Sequence, residues 1–394
     1  MKRPLRRRAR FLAVVALVAL VAQIPGVLTL GRLVGSYRGV VAAAGLVTLP
    51  FIWSTLRNPF QHSPTSLLRL YLTQWPFYLW WTVCLTHFLF APVALLVAAL
   101  SPVPLNQALA VAGVLSVVAG LAGLRRTPRI VAQRIAIVDL PAELEGYRIA
   151  QLSDLHCGPF TPPERVRRWV ARANALGADL IAVTGDLITS GNDYVAAVAA
   201  ELGGLRAPDG VLACMGNHDY FTEGEEVVRA LERHGLQVLR NRGITVARGA
   251  ARLYVAGVDD TWTRRQDIPA ALRARPTDAP AVLLAHDPSL FVEAAAHGVD
   301  LTLSGHTHGG QVAVPGATRR LNLARLITPF TAGFFHQGRS TLHVSRGLGT
   351  TGPPVRLGAR PEIALLELGR APIVEGPFGD LAEDAIREAS RTGS

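Results

Sequence analysis

Five short apolar runs in the later part of this 394-residue chain stop at residues that can hold a cation or move a proton. After IAQLS come Asp154 and His156, and after IAVT come Gly185 and Asp186. LACM is followed by Gly216, Asn217, His218 and Asp219, VLLA by His286 and Asp287, and LTLS by Gly305, His306, Thr307 and His308. These few places hold five of the chain's eleven histidines. One apolar run ending in a polar residue is ordinary loop chemistry, and GHTHGG alone reads equally as a solvated loop. Five such ends on one edge point to a metal site. Mixed nitrogen and oxygen donors suit Mn, Fe or Zn better than Ca, without choosing among them.

Buried strands are the elements that would bring these ends together. Runs of five or six apolar residues bounded by turn residues suit strands covered on both faces. YRIAQL (147–152), DLIAVT (179–184), GVLACM (210–215), RLYVAGV (252–258), AVLLAH (281–286) and VDLTLS (299–304) read as such strands. Helices are expected at 162–177, opened by proline, around Tyr194–Leu205, and from Glu225 to His234. Open α/β sheets bind ligands beyond the carboxyl ends of their strands, which is where the Asp, Asn and His residues stand.

The ordered set DLH, GDL, GNHD, H and GHTH resembles the calcineurin-like metallophosphoesterases, with GHTHGGQV and VSRGLGTTGPPVRLGARPEIALLEL resembling their bacterial membrane-associated YkuE/YaeI-type branch, which includes UDP-diacylglucosamine pyrophosphatases. It covers roughly Arg148 to Leu368, with no motif element missing. The resemblance implies an α/β fold, a four-layered α/β/β/α sandwich around two metals. Asp154, His156, Asp186 and His308 would hold one metal; Asp186, Asn217, His286 and His306 the second. Asp186 as the shared ligand also makes chemical sense, because two dications about 3.5–4 Å apart need an anionic bridge. The resemblance assigns catalytic roles to His218, as transition-state stabiliser or acid, and to Asp219, as the group that orients it. An N-cap role for Asp219 is compatible with that. The metals would activate a water as hydroxide to attack phosphorus in line.

Composition divides the chain. Hydrophobic residues make up 49%, charged residues 18%, and mean hydropathy is +0.28, too apolar for an ordinary soluble protein. Four apolar stretches, Phe11–Leu30, Gly39–Leu56, Trp75–Leu100 and Leu105–Leu124, approach the roughly 20 residues that cross a bilayer. The second is the weakest, being interrupted by Pro50. The expected domains are a membrane region at 1–125, a linker at 126–147, a catalytic domain at 148–370 and a tail at 371–394. Arginine clusters before Phe11 and at Arg125, Arg126, Arg129 and Arg134 place both ends of a four-span anchor, and the catalytic domain, on the cytoplasmic side. An export signal is the competing reading, opposed by the absence of a small-x-small cleavage site after the first stretch and by the three apolar stretches that follow. The net charge of +11 comes with no Lys/Arg run interleaved with aromatics, so no nucleic-acid partner is expected. Cys84, Cys157 and Cys214 form no disulfide or zinc-finger pattern.

The expected function is a multi-pass membrane phosphohydrolase acting through two divalent metal ions, with manganese among the candidates. Its expected substrate is a phosphate ester or diphosphate, favoured as amphiphilic or lipid-linked. A general phosphodiesterase or phosphomonoesterase is the alternative, and a non-catalytic membrane scaffold or sensor is weaker because no ligand position is vacant. Arg346 and Arg356, in the glycine- and proline-rich C-terminal segment, are candidate phosphate contacts, against a reading as surface salt bridges. Substrate, metal identity and oligomeric state have no signature in the residues.

Overall fold

The structure is a computed structural model describing residues 16–17, 20–57, 70–124, 127–221, 223–314 and 320–370. The chain divides into two compact units, Met1–Arg125 with Gly352–Val355, and Arg126–Thr351 with Arg356–Ser394.

The first unit is helical: α1 (Ile24–Val34), α2 (Tyr37–Arg57), α3 (Trp75–Leu100) and α4 (Leu105–Gly123). Among the described residues three helical segments, Tyr37–Ser54, Leu70–Leu100 and Leu105–Gly123, are long and apolar enough to cross a membrane. The first expected stretch lies partly outside the described residues, and its described remainder carries only the shorter α1. Polar side chains of this unit pair with one another. Thr29 Oγ1 lies 2.8 Å from His87 Nε2, and Trp80 donates to Gln23 Oε1 at 2.6 Å.

The second unit is built on two six-stranded sheets. In the first, the order is β1 (Arg129–Ile137), β12 (Glu362–Arg370), β2 (Arg148–Leu152), β3 (Leu180–Thr184), β4 (Val211–Cys214) and β5 (Gln237–Val238). In the second it is β10 (Gly333–Gln337), β11 (Ser340–Val344), β9 (Leu301–Ser304), β8 (Ala281–Leu284), β7 (Ala251–Gly257) and β6 (Arg242–Arg248). β2 to β5 run parallel, as do β7, β8, β9 and β11.

Alternation along the strands builds the layers. In β3, Leu180 and Ala182 join one core with Leu253, Val255, Val282 and Leu284 of the other sheet, while Ile181 and Val183 face outward. That outer face is covered by α5 (Pro163–Asn174), α6 (Val195–Leu202) and α7 (Gly224–Arg233) through Trp169, Val198 and Leu231. The outer face of the second sheet is covered by α8 (Ile268–Leu272) and α9 (Phe291–Ala296), through Ile268, Ala271 and Ala294. Helices, sheet, sheet, helices: the four expected layers are present.

Residues 126–147 are not a linker. They contribute β1, which pairs in parallel with β12 from Arg129↔Glu362 to Ile137↔Arg370. Only Ile135 and Ile137 of this edge strand are buried, so it carries no continuous apolar run to betray it.

A polar plug bridges the two sheets. The Gln151 amide donates to Thr184 Oγ1 and to the Ser304 carbonyl, both at 2.9 Å, and His343 Nδ1–H donates to Gln151 Oε1 at 2.6 Å. Thr184 and Ser304 are the last residues of their strands, so both sheets are tied together just where the polar loops begin.

Candidate metal centre

The strand ends converge as their composition demands. Three groups of donor atoms each lie within 4.8 Å of one another: Asp154, His156 and His308; His156, Asp186 and His218; and Asp186, His286 and His306. Asp186 Oδ2 is 3.5 Å from His156 Nε2 and 3.2 Å from His286 Nε2, so one carboxylate faces both sides of the cluster. His156 and His308 bring their Nε2 atoms to 3.0 Å, and Asp154 Oδ1 is 3.5 Å from His308 Nε2.

The backbone is bent to achieve this. Among the described residues nine non-glycine residues have positive φ, and five of them are Asp154, His156, Asp186, His306 and His308. Such left-handed conformations are strained for ordinary side chains and gather at functional sites. Two glycines make room. A Cβ on Gly305 would strike Ser153 Oγ and the Asp154 carboxylate, and one on Gly216 would strike Asp186.

Burial sets the charge states. It holds the His156 imidazole well below its ordinary range, with His218 adding to the effect, and it does the same to His308 with help from His156. Both rings therefore keep free lone pairs. Burial opposes charge on His286 as well, but the Asp186 carboxylate beside it pushes that histidine up to about 10. Burial also raises Asp186, and is outweighed by His286 and His218, which hold the carboxyl well below the carboxylate range.

Backbone carbonyls fix the ring tautomers, as carbonyls commonly do for metal-binding histidines. His286 Nδ1–H donates to the Thr184 carbonyl at 2.7 Å, leaving Nε2 to face Asp186. His218 Nδ1–H donates to the Thr189 carbonyl at 2.6 Å. Asp219, expected to orient His218, serves another residue. Its carboxylate accepts from the backbone N–H of Asp186, Leu187 and Gly216 at 3.0, 2.8 and 2.9 Å, and so pins the loop that carries Asp186. The orienting group for His218 is a carbonyl, which leaves no mark in a sequence.

The donor set fits divalent metal binding. Asp154 Oδ2 and Asn217 Oδ1 are buried and lack a hydrogen-bond partner in the structure. Burying such acceptors unpaired is costly unless a cation meets them. Thr351, absent from the expected set, places Oγ1 at 3.0 Å from both His156 Nε2 and His308 Nε2.

The two arginines considered as phosphate contacts or surface salt bridges are committed elsewhere. Arg356 is buried and donates to the carbonyls of Gly349 and Arg346 at 2.6 Å, with Nη2 3.0 Å from His308 Nδ1. Arg346 pairs with buried Glu362 at 2.7 Å. They brace the loop behind the histidines and are not surface pairs. The three cysteines are free and buried.

Comparison with known proteins follows the same residues. The family model described as calcineurin-like phosphoesterase matches residues 147–310. The chain is 33% identical over 276 residues to "Transmembrane protein with metallophosphoesterase domain" of Danio rerio, a match covering 67% of this chain and 62% of that protein. It therefore spans less than two thirds of that relative's length. It is 33% identical over 239 residues to "Uncharacterized metallophosphoesterase YkuE" of Bacillus subtilis, covering 58% of this chain and 81% of that one. A shorter match, 38% over 82 residues, covers 21% of this chain and 25% of "UDP-2,3-diacylglucosamine pyrophosphatase LpxG" of Chlamydia muridarum.

Proposed function

Because the chain belongs to the calcineurin-like phosphoesterase family, we propose that it is a membrane-anchored phosphohydrolase that works with two divalent metal ions. Its reaction is hydrolysis of a phosphate ester or diphosphate bond. The observation that carries this reading is the Asp186 carboxylate, set between His156 and His286 at 3.5 and 3.2 Å. Asp154, His156, Asp186 and His308 hold one ion; Asp186, Asn217, His286 and His306 hold the other. Bound there, such ions supply Lewis acidity and a deprotonated water near neutral pH.

The chain's own groups do the rest. Asp219 and the buried glycines fix the Asp186 loop, so its carboxylate stays aimed between the two groups. The Thr184 carbonyl keeps the His286 proton on Nδ1. The Thr189 carbonyl does the same for His218, which leaves the His218 Nε2 to meet the substrate and, when protonated, to donate to the departing oxygen. An amphiphilic or lipid-linked substrate fits a chain whose helices are apolar enough to anchor it in a bilayer, and a named relative acts on a diacylated sugar nucleotide.

The test uses the full chain in detergent with Mn²⁺, offered bis-p-nitrophenyl phosphate beside lipid-linked diphosphates. Turnover is expected with the wild type. Asp186→Asn, which removes the shared negative charge, is expected to abolish it and to reduce metal content sharply. Two retained metals with wild-type turnover in that variant would overturn the assignment.

A further inference from the structure

An unbroken run of aromatic rings leads from the metal centre to the surface. His156 and His218 meet edge-on at 4.6 Å between ring centres, and His218 and Phe221 also lie 4.6 Å apart. Phe221 meets Trp262 edge to face at 6.2 Å. Trp262 is 69% exposed. An indole is among the costliest side chains to leave in water, since it carries a large apolar surface.

The turn that presents Trp262 is held firmly. The Thr263 N–H donates to Asp260 Oδ2 at 2.8 Å, and Thr261 Oγ1 donates to Asp287 at 2.7 Å. The Arg265 N–H donates to the Asp260 carbonyl, and Tyr220 donates to Asp259 at the start of the turn. Arg264 adopts φ +59, a strained value for an arginine. An indole on a loose loop would fold down onto the protein. Here pinned backbone on both sides keeps it out beside the site, with exposed Arg264 and Arg265 next to it.

From this we infer that Trp262, backed by Phe221, is a specificity-determining shelf that stacks a planar aromatic group of the substrate. The inference rests on the phosphohydrolase reading and deepens it, by assigning an aromatic ester group to the side of the site where His218 stands. Offset or edge-to-face aromatic contact contributes enough for roughly a tenfold preference over an aliphatic group of like size.

Two phosphonates of equal charge and similar bulk, phenylphosphonate and cyclohexylphosphonate, test it as inhibitors of bis-p-nitrophenyl phosphate hydrolysis by the full chain loaded with Zn²⁺. The wild type is expected to bind the phenyl compound about tenfold more tightly. Trp262→Ala should erase that preference by weakening only the phenyl compound, with metal content unchanged, and Trp262→Phe should restore part of it. A second readout needs no turnover: p-nitrophenylphosphonate should quench indole fluorescence in the wild type, and the Trp262→Phe variant should lose that quenching. Equal weakening of both inhibitors, or no weakening, overturns the shelf while leaving the hydrolase intact. Quenching of Trp262 by headgroup-brominated lipid in nanodiscs, in place of the nitroaryl compound, assigns the indole to the bilayer and overturns the shelf. A wild type that hydrolyses no phosphate ester overturns the parent reading and the shelf with it.

Discussion

His218 and Asp219 are neighbours in the chain with unlike work, and substitution should separate them. His218→Ala removes a ring held by the Thr189 carbonyl. It should lower kcat about 10²–10⁴-fold while metal content, read by atomic emission, stays at the wild-type level. Collapse of metal content would make His218 a ligand instead. Asp219→Asn presents an amide where three backbone N–H groups converge. It should cost about 1–3 kcal/mol of stability and loosen metal retention, both measurable by thermal melting with and without chelator. Every residue of the proposed metal set was visible in the sequence as a polar side chain at or just past the end of an apolar run, and the resemblance sorted them into two groups. Thr351 and the two orienting carbonyls were not. A carbonyl belongs to every residue alike, and Thr351 lies in a glycine-rich stretch with no periodicity to single it out. The arginines misled for a related reason. The partner of Arg346 is Glu362, sixteen positions away and buried, which nothing local announces.

Among the elements, the parallel strands were plain in the sequence and the edges were hidden. β2, β3, β4, β7, β8 and β9 are short apolar runs with buried faces on both sides. β1 presents exposed or half-exposed residues at seven of its nine positions, so its partner strand defines it, not its own pattern. Two predictions belong at this scale. Gly305→Ala would drive a methyl group into Ser153 and Asp154 where β9 ends. It should lower metal occupancy at the site proposed for Asp154 while circular dichroism keeps the wild-type spectrum. The inter-sheet plug makes stability pH-dependent. Burial lowers His343 to about 4, while the unfolded chain has an ordinary imidazole near 6.5. Between those values the unfolded state binds more protons, so stability is full above about pH 6.5 and falls as pH drops towards 4, by up to about 3 kcal/mol. His343→Gln, which keeps an amide for Gln151, should flatten that part of the melting-temperature profile relative to wild type.

For the whole molecule, the apolar helices and the catalytic unit pose a question of side. The arginine clusters flanking the apolar region are the ground for proposing a cytoplasmic catalytic unit, since such clusters resist translocation. A reporter fused after Ser394 in a bacterial host checks this: fluorescent protein should light up and alkaline phosphatase stay silent, and the reverse would put the unit outside. The parallel pairing of β1 with β12 adds a constraint of time. β12 lies between β1 and β2, so the last described strand fills an interior place in its sheet. Its register joins Arg129 to Glu362 across 233 positions. At about 5–20 residues per second of synthesis, β1 waits roughly 10 to 50 s for β12, its one neighbour among the described strands. Throughout that interval the edges of β1 and β2 stand open and the loop braced by Glu362 has no anchor. A nascent chain of this kind is most exposed to misfolding after its histidines have been made and before β12 arrives.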